Sequence, residues 1–257
     1  MLLLGFYPGG EESLCGGCSI KRLIILLLVV PAVLTCTQFA LVKEETNRIK
    51  VLVSKNSAQN IDPNGNEVQE DQKHLDIGLI LYREEATKQK VIQFYTKIAG
   101  SRFLAETILM YADLNEIPPP LAFSLAWVES KFNPRAVNQN GGSIDRGLFQ
   151  LNSLSFPHLR EEEFFEPATN AKNGMKYLRH CLDTGENEIV ALAMYNAGKS
   201  RVQNTGAPMM TLDYIASILD FRKSIERSFE EEFAEYLPFG RSVAVAKRTS
   251  PILDRGN

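Results

Sequence analysis

The chain has 257 residues, of which 44% are hydrophobic, and a formal net charge of -3. That length and composition provide for one sizeable globular domain with appendages. A weakly acidic chain without a basic patch argues against nucleic-acid binding. The three histidines, His74, His158 and His180, lack metal-ligand spacing. We therefore expect surface histidines, no metal and no cofactor.

The N-terminal segment has the pattern of an export signal. Lys21-Arg22 precedes an apolar run from Leu23 to Leu34, and extension through Val42 gives the roughly 20 residues of a membrane span. Val33-Leu-Thr-Cys36 resembles a loose lipobox, which makes Cys36 a lipidation candidate. Residues 1–42 are predicted to be an export signal or membrane anchor, and lipoprotein and uncleaved anchor both stay open. Either form places the protein in the cell envelope, membrane-associated and on the periplasmic side.

The other cysteines do not form a disulfide framework. Cys15 and Cys18 make a C-x-x-C without a partner pair, which we interpret as chance. Cys181 lies in an apolar stripe with Met175, Leu178 and Leu182, so we expect a buried structural thiol.

A polar tether is predicted for residues 43–76, which are rich in Asn, Gln, Glu and Lys. Helical patterns follow near 86–99, with Val91, Tyr95 and Ile98 inward, and near 101–114, where Ser101 is the N-cap.

The next helix carries an unusual acid. Leu121, Leu125, Val128 and Phe132 recur at helical spacing after a run of prolines, and Glu129 falls on the same stripe in the last turn. Desolvation and the negative end of the helix dipole would both raise the pKa of Glu129. The ordinary alternative is an acid that reaches solvent or a salt bridge at a helix end.

A predicted loop and the second of three motifs follow this helix, whose Glu129-Ser130 is the first. Residues 138–146 contain so many amides and turn formers that we expect a loop. Gly147-Leu-Phe-Gln-Leu-Asn152 brings two amides behind a glycine that permits close backbone approach. Such amides suit the N-acetyl and hydroxyl groups of a sugar, although a buried turn with satisfied amides explains the hexapeptide equally well.

The third motif ends a segment from Glu188 to Tyr195 that has helical spacing. Tyr195-Asn196-Ala197-Gly198 taken alone is compatible with a helix C-cap in which Gly198 is left-handed. Beyond a closing helix with Tyr214 and Ile218, residues 223–257 are predicted to be a charged, exposed helix and a tail.

The motifs in combination resemble the soluble lytic transglycosylase (SLT) domain family. The resemblance rests on Glu129-Ser130 with Phe132-Asn133-Pro134, on Gly147-Leu-Phe-Gln150, and on Tyr195-Asn196-Ala197-Gly198, and it continues through Glu166-Pro167 to Gly174. It covers residues 85 to 220. It implies a mainly α, lysozyme-like (goose-type) catalytic domain at 77–222 that acts on peptidoglycan glycan strands. The run from Ser143 to Arg146 is more similar to the small transglycosylases of secretion and conjugation machines than to the large periplasmic enzyme. Any cell-envelope assembly partners stay unknown.

The resemblance also implies roles for individual residues. Glu129 matches the sole catalytic acid/base of the family. A second set matches cleft-lining or motif positions and is expected to bind substrate: Ser130, Phe149, Gln150, Tyr195 and Asn196. Asn138 stands where many members carry a serine that contacts the N-acetyl group, and its amide could supply a similar hydrogen bond.

A single acid is compatible with substrate-assisted cleavage, in which the acetamido group of the sugar replaces the second carboxylate. The product would be a 1,6-anhydromuramyl end. Two alternatives remain at this point. A lysozyme-type hydrolase would use Asp145 to activate water, and a non-catalytic glycan-binding module would not need an inward-facing acid.

Overall fold

The computed structural model describes residues 41–54 and 76–237, and these are mostly helical, which confirms the predicted mainly α class. The predicted export signal, including Lys21, Arg22 and Cys36, lies outside the described residues, as do His74 and most of the predicted tether. The elements in chain order are α1 (41–54), α2 (Ile77–Arg83), α3 (Glu85–Ala99), α4 (Arg102–Leu114), α5 (Pro119–Ser130), β1 (Val137–Asn140), β2 (Ser143–Arg146), β3 (Leu151–Asn152), a 3₁₀ turn (Glu161–Phe165), α6 (Pro167–Thr184), α7 (Glu188–Ala197), α8 (Lys199–Thr205), α9 (Met209–Glu232) and a last 3₁₀ turn (Ala234–Tyr236).

The helices predicted before α5 are present. Val91 and Tyr95 of α3 are fully buried, whereas Ile98 is only partly buried. Ser101 caps α4, and its hydroxyl accepts a hydrogen bond from the Leu104 amide at 3.4 Å. Helices α3 and α4 therefore begin within about one residue of the predicted starts and end where predicted.

Helix α5 is the central element of the core. Every residue from Pro119 to Ala126 is buried, and the helix packs against α4 and α9. A helix that is apolar on all sides is surrounded by protein rather than lying on a surface. The one-sided stripe predicted from Leu121 and Leu125 thus understated how deeply this helix is buried.

Part of the predicted tether is structured. Residues 41–54 are helical, and Ile49 and Val53, which are four residues apart, are fully buried in the main hydrophobic cluster. Burial of these two β-branched apolar residues on one helix face anchors this stretch to the core. In the described residues, no helix is both long and apolar enough to cross a membrane.

The charged C-terminal run is not a separate exposed helix. Helix α9 runs from Met209 to Glu232 without interruption, so the boundary expected at residue 222 falls inside it. Ile225, Phe229 and Phe233 are buried in the core, at 3%, 6% and 0% exposure. The acidic residues of this run occupy the outer side of a helix whose inner side packs in the core.

The predicted loop at 138–146 is a β-hairpin, so that prediction was wrong. Strands β1 and β2 pair antiparallel, with Asn138 opposite Asp145, and β3 adds a short third strand. Gly141 and Gly142 form the turn with φ values of 36° and 137°. Cross-strand pairing satisfies the backbone that the amide-rich sequence had suggested would be irregular.

Candidate active site

The end of α5 positions Glu129. The helix ends at Ser130 because Lys131 and Phe132 both adopt left-handed backbone conformations, with φ values of 55° and 59°. Such values are uncommon for residues with side chains and turn the chain sharply. The ring of Phe132 is buried at 8% exposure, and its packing stabilises this turn.

A hydrogen bond joins the end of α5 to the second motif. The Ser130 hydroxyl lies 2.8 Å from the carbonyl oxygen of Leu148 and 3.1 Å from that of Ala126. Ser130 is itself buried. The acid-bearing turn and the glycine-led turn are therefore held in fixed register.

Asn170 of α6 organises the turn that follows Gly147. Its amide nitrogen donates to the carbonyl oxygens of Arg146 and Phe164, and its carbonyl oxygen accepts from the Phe149 amide at 2.7 Å. Gly147 has a φ of 82°, and a Cβ there would lie 2.1 Å from the Phe164 oxygen. Only glycine fits this approach of the turn to α6.

The third motif contributes the opposite wall. The Tyr195 hydroxyl donates to the carbonyl oxygen of Phe149 at 3.0 Å, which ties α7 to the turn. The Asn196 side-chain oxygen accepts from the Thr211 hydroxyl at 2.8 Å. Gly198 has the expected positive φ of 86°, but its ψ of 138° lies outside the left-handed helical region.

These elements enclose a cleft of about 430 Å³ with Glu129 in its wall. Polar and aromatic residues from the sheet, α6 and α7 complete the lining, among them Asp145, Gln150, Asn152, Tyr177, Tyr195 and Asn196. The Gln150 amide nitrogen already donates to the carbonyl oxygens of Ala136 and Gly147, so its own carbonyl oxygen remains to accept from a ligand. Asn196 is complementary, because its accepting oxygen is occupied and its N–H groups remain.

The electrostatic surroundings of Glu129 favour its neutral form. Its pKa is raised to about 8, mainly by burial; a hydrogen bond from Tyr214 lowers the pKa, and the negative charge of Asp145 adds a smaller rise. The Tyr214 hydroxyl donates to Glu129 Oε1 at 2.5 Å. The pKa elevation predicted from the position of the acid is confirmed, and desolvation is the main cause.

Asp145, the second acid of the cleft, is engaged by its own sheet. The Asn152 amide donates to its carboxylate at 2.7 Å and to the Ser143 hydroxyl at 2.8 Å, so these contacts join β2 to β3. Within residues 41–54 and 76–237, no group of three or more His, Cys, Asp or Glu residues has a metal-binding arrangement.

Sequence comparison agrees with this geometry. Residues 106–217 match the family model described as the transglycosylase SLT domain. This part of the chain is similar to the SLT domain family. It includes the acid-bearing helix, the sheet, the glycine-led turn and the Tyr195 motif.

Two curated relatives carry related sequence. The chain is 28% identical over 138 residues to the soluble lytic murein transglycosylase of Escherichia coli strain K12, and to that of Escherichia coli O157:H7. Each match covers 49% of this chain and 21% of the relative, so the chain spans about a fifth of the length of these relatives. No solved structure matches the chain significantly.

The fold does not bring all the predicted site residues to the cleft. Glu129, Gln150, Tyr195 and Asn196 line it together. Phe149 is fully buried and Ser130 is 8% exposed. Neither residue lines the cleft, and both support it from inside, so their predicted contact with a substrate stays a prediction. Phe149 packs against α6 at Gly174. A Cβ added to Gly174 would lie 2.7 Å from the Cβ of Phe149.

Asn138 lies at the margin of the site. It is exposed on β1, outside the cleft lining, and is paired in register with Asp145. Residues directly opposite in an antiparallel pair project from the same face of the sheet. Its predicted substrate contact therefore stays a prediction.

Sequence reasoning missed two residues that organise the site. Tyr214 was recognised only as part of a closing helix, since no local pattern indicates that it lies 85 residues along the chain from its acid partner. Asn170 offered a signal that could have been used. It is a fully buried amide in the first turn of α6, and such a group must be hydrogen-bonded.

The other sequence expectations have clear outcomes. Cys181 is buried at 1% exposure, as predicted, and burial raises the pKa of its thiol to about 11. His158 and His180 are exposed, as expected.

Proposed function

We propose that this protein is a lytic transglycosylase that cleaves the β-1,4 bond between N-acetylmuramic acid and N-acetylglucosamine in peptidoglycan. One observation carries the proposal: a carboxylic acid with a pKa of about 8 lies in the wall of a polar cleft and is hydrogen-bonded to a partly buried phenol. A substantial protonated fraction near neutral pH is what a general acid requires. The similarity to soluble lytic murein transglycosylases supports the choice of substrate.

In the first step, Glu129 donates its proton to the glycosidic oxygen as the C1–O4 bond breaks. The carbonyl oxygen of the substrate's acetamido group bonds to C1 and takes up the developing positive charge. Glu129 is left as a carboxylate. The Tyr214 hydroxyl stabilises this anion, since a hydrogen bond to the charged form lowers the pKa.

In the second step, the Glu129 carboxylate removes the proton of the C6 hydroxyl. The C6 oxygen bonds to C1 and displaces the acetamido oxygen, which closes the 1,6-anhydro ring. Glu129 is protonated again, and no water is consumed. One residue thus serves first as the acid and then as the base. A pKa near the working pH suits both roles, because the proton must be donated in the first step and accepted in the second.

The cleft walls supply complementary hydrogen-bonding groups. The free Gln150 carbonyl oxygen can accept from an N–H or hydroxyl of the sugar, and the Asn196 N–H groups can donate to an acetamido oxygen. Both side chains are anchored by protein contacts. Their orientation is therefore fixed before substrate arrives, which lowers the entropic cost of binding.

A lysozyme-type hydrolase is the second candidate, because Asp145 also lines the cleft. A hydrolase would need this carboxylate to activate water. The Asn152 side chain donates to the Asp145 carboxylate. This contact gives Asp145 a structural role in the sheet and so accounts for the second acid without a catalytic role, which favours the transglycosylase.

Digestion of purified cell-wall sacculi separates these functions. The parent protein and Asp145→Asn are both expected to release muropeptides with anhydro ends, while Glu129→Gln releases none. Reducing ends that disappear in Asp145→Asn would establish the hydrolase. Binding to sacculi with no release by the folded parent would establish a glycan-binding module.

We place the protein in the cell envelope, where its substrate is found. The apolar run after Lys21-Arg22 supports membrane association on the periplasmic side, either through a lipid on Cys36 or through an uncleaved anchor.

A further inference from the structure

A second groove lies on the far side of α5 from the cleft. It has a volume of about 690 Å³, is bounded by α3, α5 and α9, and shares no lining residue with the cleft. Trp127 and Glu129 mark the two sites. Two residues along a helix are rotated by about 200°, so their side chains leave α5 in nearly opposite directions.

Aromatic side chains form one wall of this groove. Trp127, the single tryptophan of the chain, stacks on Phe221 with ring centroids 4.5 Å apart and planes 20° apart. The Lys131 ammonium lies 3.1 Å from the Trp127 centroid. A stack at 4.5 Å leaves no room for an ammonium, so Lys131 covers the opposite face of the indole. Trp127 is thereby held between two partners, and its edge joins Phe221 and Ile98 in an apolar wall.

The remaining rim is polar. Ser224 and Ser228 are one turn apart on α9 and both exposed. The Ser224 hydroxyl donates to the Phe221 carbonyl, which leaves its oxygen able to accept. Glu231 and Glu232 face Lys97 across the groove, and Lys97 lies 3.9 Å from Glu232. One lysine against two glutamates gives a formal charge of -1, which disfavours an anionic ligand and leaves Glu231 able to accept from hydroxyl or amide donors.

We propose that this groove is a second, non-catalytic binding site for N-acetylhexosamine rings of a glycan strand. One face of a hexose presents only C–H groups, which pack against the apolar wall formed by Phe221, Ile98 and the edge of Trp127. Its hydroxyl and acetamido groups then meet the serines and Glu231. The identity of the polymer rests on the function proposed above, whereas the preference for a neutral hydroxylated ring comes from the groove itself.

A second site on the opposite side of α5 would hold the enzyme on its polymer between cleavage events. Two weak sites on one chain raise the overall affinity for a multivalent surface well above that of either. The groove should therefore affect retention on sacculi more than turnover of a short soluble substrate.

Tryptophan fluorescence gives a direct test, because Trp127 is the single reporter in the chain. The full chain carrying Glu129→Gln is titrated with the neutral β-1,4 hexamer of N-acetylglucosamine, and a saturable change in emission is expected. Adding Ser228→Arg, which fills the groove from an exposed position, should weaken the affinity at least tenfold. Ala216→Arg adds the same side chain to an exposed position of α9 outside the groove and should leave affinity within twofold.

Asn196→Ala, which alters the cleft wall, distinguishes the two sites. The proposal requires the fluorescence titration to survive this change. It is overturned if emission does not respond, if Ser228→Arg binds as tightly as Ala216→Arg in folded protein, or if Asn196→Ala abolishes the response. Loss of the groove would leave anhydro product formation intact, and absence of anhydro product would leave the titration unaffected, so the two proposals fail separately.

Discussion

Glu129 is subject to two opposing influences that together set its protonation. Burial and the charge of Asp145 disfavour the carboxylate, whereas the Tyr214 hydroxyl favours it. The result is a pKa of about 8 rather than the still higher value that burial without this hydrogen bond would give. The acid is thus available as a proton donor near neutral pH and is not too weakly acidic to release the proton.

The raised pKa predicts a stability cost at alkaline pH. An unfolded glutamate ionises near 4.5 and the folded one near 8, so between these values the folded state binds the extra proton. Parent stability should therefore fall as pH rises through this window, by at most about 1.4 kcal/mol per pH unit, and level off above it. Glu129→Gln lacks this dependence and should gain stability relative to the parent from pH 5 to pH 8.5 in urea unfolding. Parallel pH profiles for the two proteins would show that Glu129 is not appreciably desolvated.

Removing the phenol should move the activity profile. Tyr214→Phe deletes the hydrogen bond that lowers the Glu129 pKa, so the alkaline limb of kcat/KM is expected to shift to higher pH by on the order of one unit. Tyr177→Phe is the matched control, because Tyr177 also lines the cleft but donates to the Met194 carbonyl. A limb that stays in place in Tyr214→Phe, or moves equally in both variants, would contradict the assigned contact.

At the scale of elements, the site is built where three chain segments are locked together. Ser130 joins the end of α5 to the Gly147 turn, Asn170 joins that turn to α6, and Tyr195 joins it to α7. Each contact is a side chain that satisfies backbone groups of an irregular segment. The glycine-led turn is the common point, so its geometry determines that of the cleft.

Gly147→Ala should destabilise the domain strongly. The new Cβ would lie 2.1 Å from the Phe164 oxygen and 2.3 Å from the Asn170 amide nitrogen. Gly206→Ala is the matched control, since Gly206 has nearly the same φ, 81° against 82°, and no atom within 4 Å of the added Cβ. At the control's φ of 81° and ψ of 177°, a region essentially restricted to glycine, the conformational cost is about 1–3 kcal/mol. Gly147→Ala should cost several kcal/mol in urea unfolding, and equal losses would refute the close approach.

The sequence predicted those helices whose formation depends on neighbouring residues, through apolar periodicity and capping residues. Helix α4 was recognised from its periodicity and its Ser101 cap, and α5 from its apolar residues and leading prolines. The hairpin at 137–146 was missed because amides and glycines suggest irregular chain, while strand pairing depends on a partner segment. Ile49 and Val53 were assigned to a tether because their surroundings are polar and burial comes from distant segments.

The site was predicted where side-chain chemistry is visible in the motif. Glu129, Gln150, Tyr195 and Asn196 carry polar groups that face the cleft. Phe149 belongs to the same motifs but packs inward against α6, beside Gly174. Tyr214 could not be assigned from sequence since its role depends only on the packing of α9 against α5.

At the scale of the whole molecule, the described helices place the cleft on one side of α5 and the aromatic groove on the other. The central helix thus presents different chemistry on its two sides. Exported enzymes that act on an insoluble polymer benefit from attachment both to that polymer and to the membrane.

The sequence predicts that the full chain is found in the membrane fraction after expression in a bacterial host. The prediction is based on Lys21-Arg22, the apolar run that follows them, and Cys36. Mass spectrometry of the N-terminal peptide should show either a lipidated Cys36, absent from Cys36→Ala, or an intact segment that retains Lys21. Recovery of the protein solely in the cytosol would contradict both forms.

The most direct test of the central claim is the fate of solvent oxygen during cleavage. Sacculi are digested by the parent protein in water enriched in ¹⁸O, and the new muramyl ends are analysed by mass spectrometry, with Glu129→Gln as the inactive control. Because the C6 hydroxyl closes onto C1, the account predicts anhydromuramyl ends without ¹⁸O. Reducing muramyl ends that carry one ¹⁸O at C1 would show that water is the nucleophile and would contradict the account.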